Sequence, residues 1–466
     1  MQRKTRSRTR QRWCRVFVAG VSLMVLGPTL MEAGKDELKA KLEELERRLE
    51  KLEREQERQL QPASQPGELA EIRRQLDILA TEVELLRSGE PDLEVTDDQA
   101  RSKGLGPAAA SVYRKRQGVS IAGYGEMLYN NYNGRDESGD PVSKTTQFDF
   151  LRWILYAGYR FNDRFVFNSE IEIEHGSTSL GGSTSVEFAY LDFLANDHLT
   201  LRGGLLLVPM GLVNELHEPT VFVGANRPET ERRIMPSTWR ENGFGFVGSA
   251  GMFDYRVYVV NGLLGSKFSS DGLRAGRQKG YKAKSSHMAV VTRVDVNPTP
   301  GVFVGGSFYN GGSGQGLTFD GQELDVGTRI GELHAQIQME GFDLRGLFAR
   351  ASLDDVAELN QALGYTGKNS VGETQQGGYL QFGYNLLSRV REDVRLMPYY
   401  RAETLDTQAQ VPAGYLRNPA RDRSFHTLGL ELKPISNIVV KADYQWNRNR
   451  SKTGLDQFNV AMGYNF

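Results

Sequence analysis

Residues 457–466, QFNVAMGYNF, alternate between two kinds of side chain along their whole length. The positions of one face are apolar: Phe458, Val460, Met462, Tyr464 and Phe466. The positions of the other face are small or polar: Gln457, Asn459, Ala461, Gly463 and Asn465. Because successive side chains of a strand point to opposite sides, this stretch predicts a β-strand with one apolar and one polar face.

The same alternation recurs upstream, for example in 151–160 and 438–447, and turn residues separate the repeats. From residue 118 onward, no apolar run reaches the roughly 18 to 20 residues that a membrane helix needs. We predict an all-β unit of about sixteen antiparallel strands, an even number that returns both chain ends to one side. The predicted strands are 118–131, 146–161, 164–175, 185–196, 198–208, 239–249, 253–262, 286–297, 301–311, 326–339, 342–352, 374–386, 394–405, 422–433, 437–449 and 456–466.

The lengths of the connections separate a membrane barrel from a soluble sandwich, in which strands also alternate. Tight connections, such as 162–163 and 298–300, alternate with long ones. The long connections lie near 132–145, 209–238, 263–284, 353–373 and 406–421. This asymmetry is typical of a transmembrane β-barrel with short periplasmic turns and long outer loops. Closure follows because every backbone N–H and C=O in lipid needs a partner within the protein.

Residues 1–33 have the pattern of a signal peptide. Basic residues up to Arg15 precede an apolar stretch over 16–30, and Ala33 is a small residue at the predicted cut. The alternative is a retained N-terminal anchor. The single cysteine, Cys14, lies in this segment, so the sequence excludes disulfides and thiol chemistry from the mature chain.

Residues 34–87 predict a periplasmic coiled coil. Leucines recur at steps of four and three from Leu38 to Leu52, and the seam resumes between Leu69 and Leu86 after a break at 62–67. Helices this short are marginal alone in water, which implies association with identical chains. The alternative is one helix that docks on its own domain. Residues 88–117 then predict a polar linker, and 118–466 the outer-membrane barrel.

Composition excludes further classes of function. The chain has 57 Lys and Arg against 58 Asp and Glu, a balance that lacks the basic footprint of a nucleic-acid binder. None of the histidines sits in a nucleophile or metal motif, so we expect no enzyme, no catalytic residue, no metal and no cofactor. The histidines are His175, His198, His217, His287, His334 and His426.

Several stretches resemble the phosphate-selective porin O and P family. They are 104–113 (GLGPAAASVY), 119–127 (VSIAGYGEM), 148–161 (FDFLRWILYAGYRF) and 188–193 (FAYLDF), together with 205–216 and 232–246. The resemblance covers most of 104–466. It implies a sixteen-stranded homotrimeric channel in the bacterial outer membrane, with membrane lipid and small hydrophilic solutes or ions as partners, anions such as phosphate among them.

The residues themselves give anion selectivity little support. The polar strand faces mix cations with Glu170, Glu172, Glu332, Glu431 and Asp443, and opposite charges would largely cancel along the wall. No phosphate-binding lysine cluster can be matched. The candidate cations of the lumen wall are Arg152, Arg160, Arg202, Arg256, Arg345, Arg395, Arg401 and Lys441.

The connection at 209–238 is the candidate pore constriction. It follows the fifth strand, and the resemblance implies that a long loop at this place folds into the lumen. Its polar side chains could set ion preference through charge and pore width, and the alternative is a solvated outer loop. The candidate residues are Asn214, His217, Glu218, Arg227, Glu231, Arg232 and Arg233.

Two functions stay open at the level of the sequence. The first is a passive diffusion channel. The second is an outer-membrane anchor with a periplasmic coiled coil and little transport, which would have a plugged or narrow lumen.

Overall fold

The computed structural model describes residues 93–179, 181–391 and 393–466, and seven further helical positions at 44, 47, 48, 50, 51, 74 and 77. The signal peptide and, apart from those seven positions, the coiled coil therefore lie outside the described residues and remain predictions. The chain divides into a unit at 1–92 and a unit at 93–466, and the account below concerns the second. In the described part, no helix combines the length and apolar character needed to cross a membrane.

Within the described residues, sixteen strands form one closed barrel in which neighbours pair antiparallel, which confirms the predicted fold. The barrel strands are β1 (Gly118–Tyr132), β2 (Gln147–Arg160), β3 (Phe165–Glu174), β4 (Thr184–Asn196), β5 (Leu199–Leu207), β6 (Arg240–Ala250), β7 (Phe253–Asn261), β8 (Met288–Thr299), β9 (Val302–Gly312), β12 (Gly327–Met339), β13 (Phe342–Leu353), β14 (Thr374–Tyr384), β15 (Arg395–Gln410), β16 (Asp422–Ile435), β17 (Ile438–Asn449) and β18 (Gln457–Asn465). Two further strands, β10 (Thr318–Phe319) and β11 (Gln322–Glu323), form a small hairpin within one connection. The barrel closes where β1 pairs with β18, from Tyr124 opposite Asn465 to Tyr132 opposite Gln457.

The alternation that opened the sequence analysis separates the outside of the barrel from its interior. On β18, Phe458 and Met462 are each 40% exposed on the outer surface, whereas Asn459 and Ala461 are buried inside. Large apolar side chains such as Leu333 and Leu380 are likewise exposed on the outside. An apolar outer surface over a polar interior is the arrangement of a barrel that lies in lipid.

Connections at the two ends of the barrel differ as predicted. At one end the turns are short, as at 251–252 and 436–437. The start of β1 and the end of β18 lie at this end. At the other end lie the long connections, including 208–239, 262–287 and 411–421. The last of these is shorter than predicted because β15 continues to Gln410, where Thr374 of β14 still pairs with it.

Residues 93–117, which fall in the predicted linker, are folded and pack against the barrel. Helix α1 (Asp97–Ser102) begins with a capping box between Thr96 and Gln99. Helix α2 (Ser111–Arg114) buries Val112 and Tyr113. The sequence of this stretch resembles a linker because the partners of its backbone N–H and C=O groups lie far away in the chain. Two of these partners are Glu218 and Arg202. We call residues 93–117 the inner segment.

Short helices also occur in the connections. They are α3 (Glu229–Arg233), α4 (Val356–Ala362) and the 3₁₀ turns Gly265–Lys267, Arg274–Gly276, Gly367–Asn369 and Pro419–Arg421. Helix α3 packs against β14 and β15, which lie across the barrel from β5 and β6. The connection that contains α3 therefore enters the barrel.

Candidate pore constriction

The connection between β5 and β6, residues 208–239, closes on itself at its base through Asn214. The Asn214 side chain donates to the carbonyl oxygens of Val208 at 2.7 Å and Trp239 at 2.9 Å, and it accepts from the Trp239 N–H at 2.5 Å. Asn214 and Trp239 are both fully buried. The predicted constriction residue Asn214 thus joins the two ends of the loop. We call residues 208–239 the lumen loop.

The far side of the lumen loop is held by cations of the opposite wall. Arg345 of β13 donates to the carbonyl oxygen of Val221 at 3.0 Å, and Lys441 of β17 donates to that of Phe222 at 2.6 Å. Arg401 of β15 donates to the carbonyl oxygen of Asn226 at 3.1 Å. Because β13 to β17 lie across the barrel from β5 and β6, the lumen loop crosses the interior.

Three other predicted wall cations hold the inner segment. Arg160 donates to the carbonyl oxygen of Lys115 at 3.0 Å, and Arg202 donates to that of Lys103 at 3.0 Å. Arg256 donates to the carbonyl oxygen of Arg101. These contacts place the inner segment inside the short-turn end of the barrel, along the wall formed by β2 to β8.

Most charges of the wall are compensated by ion pairs. Arg152 lies 3.1 Å from Glu126, and Arg202 lies 2.8 Å from Asp192. Arg345 and Arg395 both contact Asp343, at 2.8 and 2.7 Å. The wall therefore mixes charges of both signs, and opposite charges this close together largely cancel.

Two predicted constriction residues, Glu218 and Glu231, join the lumen loop to its surroundings. Glu218 accepts from the N–H groups of Ala108 and Ala109, each at 3.0 Å, which ties the loop to the inner segment. Glu231 accepts from the hydroxyl of Tyr379 in β14 at 2.6 Å, which ties the loop to the opposite wall, and from the N–H of Val213 within the loop at 2.7 Å. Both carboxylates are buried, so their role is to hold the loop in position.

The arginines of the lumen loop belong to a larger basic cluster at the long-loop end. Helix α3 supplies Arg232 and Arg233, and the connections 262–287 and 411–421 meet it there, where Arg421 contacts Asp271. The cluster surrounds a cavity of 380 Å³ whose charged lining includes Arg233, Arg274 and Lys279. The basic cluster consists of Arg227, Arg232, Arg233, Arg274, Arg277, Lys279, Arg421 and Arg423.

Few carboxylates offset the charge of the basic cluster. Glu229 pairs with Arg232 and Arg233, and Asp271 pairs with Arg233, Arg421 and Arg423. Among the residues that the structure describes, Arg274 and Arg277 have no carboxylate within ion-pair distance. Burial, followed by the positive charge of Arg277, lowers the pKa of Arg274 below its ordinary value. Arg274 and Arg277 instead donate to the carbonyl oxygens of Ser237 and Thr238, and Glu187, Glu241 and Glu174 act on Arg277 from a greater distance. A positive surface that is offset only in part favours an anion.

Sequence reasoning identified only the part of this cluster that lies in the lumen loop. It missed Arg274, Arg277 and Lys279 because the connection 262–287 was interpreted as one of several outer loops. A signal was present. Residues 272–287 contain five Lys and Arg and no Asp or Glu.

A second cavity, of 560 Å³, lies at the short-turn end. Its lining includes Pro107 of the inner segment, Thr220 of the lumen loop and the wall residues Arg345, Arg395 and Lys433. Lys433 also donates to the carbonyl oxygen of Thr220. The lumen loop thus contributes to the lining of both cavities, through Thr220 at the short-turn end and Arg233 at the long-loop end.

Comparisons with known proteins place this chain beside one protein of similar sequence and several barrels of similar fold. An uncharacterized protein of Aquifex aeolicus (strain VF5) is 36% identical over 379 residues, which cover 78% of this chain and 83% of that protein. No family model matches the chain.

Solved structures with a related fold include three barrels of low sequence identity. OmpF of Salmonella typhi in complex with daunomycin is 11% identical with a TM-score of 0.49, over 75% of this chain and 98% of that one. An anion-selective porin from Comamonas acidovorans is 12% identical with a TM-score of 0.44, over 75% and 100%. The outer-membrane channel DcaP of Acinetobacter baumannii is 12% identical with a TM-score of 0.47, over 75% and 97%.

Proposed function

Because the chain belongs to the same family as the uncharacterized Aquifex aeolicus protein and folds as a closed barrel, we propose that this family forms outer-membrane porins. The protein is a passive diffusion channel for small hydrophilic solutes and ions, and it prefers small anions, phosphate among them. The short turns face the periplasm.

The apolar outside of the barrel supports a location in lipid. Leu333, near the centre of β12, is 70% exposed, and Leu380 of β14 is 74% exposed. The exposure of such side chains to water would be unfavourable by roughly 1.5 to 3 kcal/mol each relative to an apolar environment. Because the barrel is closed, each strand pairs with a neighbour on both sides. A hydrocarbon environment requires this, since it offers no partner to backbone N–H and C=O groups.

The excess of positive over negative charge in the basic cluster is the observation that supports the anion preference. Elsewhere in the barrel, wall cations such as Arg152, Arg202 and Arg345 pair with carboxylates, which offset most of their charge. At the long-loop end, Arg274 and Arg277 line a cavity beside the lumen loop with no carboxylate partner among the described residues. A ring of like charge at a narrow part of a pore attracts counter-ions and repels co-ions.

Planar-bilayer recording tests this function. We expect stable current steps from the purified full-length protein, and a reversal potential in a KCl gradient that indicates preference for chloride. The double variant Arg274→Gln/Arg277→Gln should lose most of this preference and retain the current. Arg391→Gln is the matched control, because Arg391 is exposed in the connection between β14 and β15 and pairs with Asp393 at 2.8 Å.

The outcomes separate the alternatives. No current from well-folded protein would favour the anchor with little transport. Current with an unchanged reversal potential in the double variant would mean that ions do not pass the basic cluster.

We also propose that three chains assemble through the predicted coiled coil. Its heptad leucines, such as Leu42 and Leu76, imply a partner of the same sequence. The detergent-corrected mass of the full-length protein should equal three chains, and Leu42→Pro/Leu76→Pro should weaken the assembly because proline breaks the helix. A mass of one chain for the unaltered protein would contradict this assembly.

A further inference from the structure

A buried histidine and two buried glutamates meet where the lumen loop contacts the wall. Glu170 of β3, Glu187 of β4 and His217 of the loop place one ligand atom each within 4.8 Å of one another. The Nε2 atom of His217 lies 3.1 Å from Oε1 of Glu170 and 3.6 Å from Oε2 of Glu187. All three side chains are at most 2% exposed.

The hydrogen bond made by Nδ1, the other ring nitrogen of His217, determines the protonation state of Nε2. Nδ1 lies 2.8 Å from the carbonyl oxygen of Asn214, which can only accept, so Nδ1 carries a proton and donates it. In a neutral imidazole, Nε2 then carries no proton, and its lone pair faces two carboxylates. Acceptors that face one another in a buried site need a cation between them. A histidine that donates one N–H to a backbone carbonyl is also the usual arrangement of a metal ligand.

Both glutamates keep a buried oxygen without a hydrogen-bond donor, and the carboxyl group beside Glu187 is that of Glu172. Among the described residues, Oε2 of Glu170 and Oε2 of Glu187 are buried and have no hydrogen-bond partner. The other carboxylate oxygen of Glu187, Oε1, is held in place because it accepts from Arg240 at 2.6 Å. Buried polar atoms without a partner are rare in folded proteins, and an ion is one of their ordinary explanations.

The backbone of β4 turns Glu187 toward this cluster. Glu170 pairs with Phe188, and the next residue of β3, Ile171, pairs with Val186, which leaves Glu187 without an opposing residue. This is a β-bulge, and it lets the consecutive residues Glu187 and Phe188 both face the interior. Bulges often redirect a side chain next to a functional site.

The surroundings retain negative charge that a cation would offset. Around Glu187 and His217 there are five carboxylates and four guanidinium groups. The carboxylates are Glu126, Glu170, Glu172, Glu187 and Glu218, and the guanidinium groups are those of Arg152, Arg227, Arg240 and Arg277.

We propose that Glu170, Glu187 and His217 bind one divalent transition-metal ion of the Zn²⁺ type. One imidazole nitrogen with two carboxylate oxygens suits Zn²⁺ better than Mg²⁺ or Ca²⁺, which prefer oxygen ligands only. Three protein ligands leave a fourth position for water. The ion fastens the lumen loop to β3 and β4, and so fixes the width of the constriction. The proposal of this metal site rests on the geometry of the three side chains. It does not depend on whether the channel prefers anions or cations.

Metal analysis of the full-length protein tests the site. The protein is purified in detergent without a polyhistidine tag, stripped with a chelator, titrated with Zn²⁺ alone, washed, and measured by plasma mass spectrometry. We expect about one Zn²⁺ per chain, and a thermal unfolding transition that rises when Zn²⁺ is restored. His217→Gln and Glu170→Gln should each weaken binding at least about tenfold.

His175→Gln is the matched control. His175 also contacts a carboxylate, Asp149 at 2.6 Å, but that pair is exposed, and no third ligand joins it among the residues that the structure describes. This variant should bind Zn²⁺ as the unaltered protein does. The circular dichroism of each variant checks that the barrel has formed.

The proposal is overturned if the unaltered protein binds no Zn²⁺ in stoichiometric amount and unfolds alike with chelator and with Zn²⁺. His217 is then an imidazolium that bridges the two glutamates. Equal loss of Zn²⁺ in His175→Gln and His217→Gln would also overturn it. If the protein binds no Zn²⁺ but still conducts, the proposed function stands and only this site is removed.

Discussion

The phenol oxygen of Tyr379 donates to Oε1 of Glu231 at 2.6 Å, across a separation of 148 residues in the chain. Tyr379 belongs to β14, and Glu231 belongs to helix α3 of the lumen loop. Both side chains are buried. This hydrogen bond is a side-chain contact between the loop and the wall opposite its base, so it should influence how firmly the loop stays in the lumen.

Removal of the Tyr379 hydroxyl tests this contact. Tyr379→Phe keeps the ring and leaves Oε1 of Glu231 buried without its donor, which should destabilise the folded barrel by about 1 to 3 kcal/mol. The measurement is thermal unfolding in detergent by circular dichroism, with current noise in bilayers as a second readout. Tyr281→Phe is the control, because Tyr281 is 79% exposed in an outer loop. Equal unfolding temperatures for both variants would contradict a role of this bond in holding the loop.

The pH dependence of stability should carry a contribution from Glu231. Burial raises the pKa of Glu231 above its ordinary value of 4.5, although the hydrogen bonds from Tyr379 and Val213 oppose the shift. A carboxyl with a raised pKa favours the folded state fully below its unfolded pKa, and this contribution is lost as the pH rises through the folded pKa. The stability of the unaltered protein should therefore fall with rising pH relative to that of Glu231→Gln.

Glu231→Gln lacks this titration and can still accept from Val213. The unfolding temperatures of the two proteins should be closest near pH 4 and separate as the pH rises toward 8, with the variant higher. A difference that stays constant over this range would mean that Glu231 has the same pKa in the folded and unfolded chains.

The strands were predictable because alternation is local. Strand β17 was predicted at 437–449 and occurs at Ile438–Asn449, and β12 was predicted at 326–339 and occurs at Gly327–Met339. Each position inside such a strand already shows whether its side chain meets lipid or the interior. The end of β15 was predicted five residues early because its pairing with β14 at Thr374 and Gln410 follows an irregularity of register.

The partners of the inward side chains were not predictable, because they are distant in the chain. Alternation indicates that Lys441 faces the interior, but its acceptor is the carbonyl oxygen of Phe222, 219 residues away. The cluster of Glu170, Glu187 and His217 shows no motif for the same reason, since its members come from two strands and a loop. Glu187 is also hidden by its β-bulge, which breaks the period of two at that residue.

Gly104 should be required for the inner segment to lie in the barrel. Its φ angle is +72°, and a Cβ atom at this position would lie 2.1 Å from Oε1 of Glu215. Gly104→Ala should therefore loosen the inner segment, since a positive φ alone costs an alanine roughly 1 to 2 kcal/mol. The readout is trypsin cleavage after Arg101 and Lys103 in the folded protein, which should become faster.

Gly134→Ala is the control for this substitution. A Cβ atom at Gly134 would meet no heavy atom within 4 Å. Trypsin should cleave this variant at the unaltered rate. Equal cleavage in both variants would contradict a requirement for glycine at position 104.

The outer surface should tolerate charge only outside the lipid. Leu333 lies at the middle of β12 and is 70% exposed, whereas Leu416 lies in the connection 411–421 and is 60% exposed. Arginine at the midplane of a membrane barrel costs about 2 to 4 kcal/mol, and near or beyond the interface it costs little. Leu333→Arg should thus lower the yield of barrel folded into lipid vesicles, as judged by heat-dependent migration in gels, while Leu416→Arg should fold as the unaltered protein does. Since the two leucines are similarly exposed and receive the same charge, equal yields would mean that hydrocarbon does not cover the middle of β12.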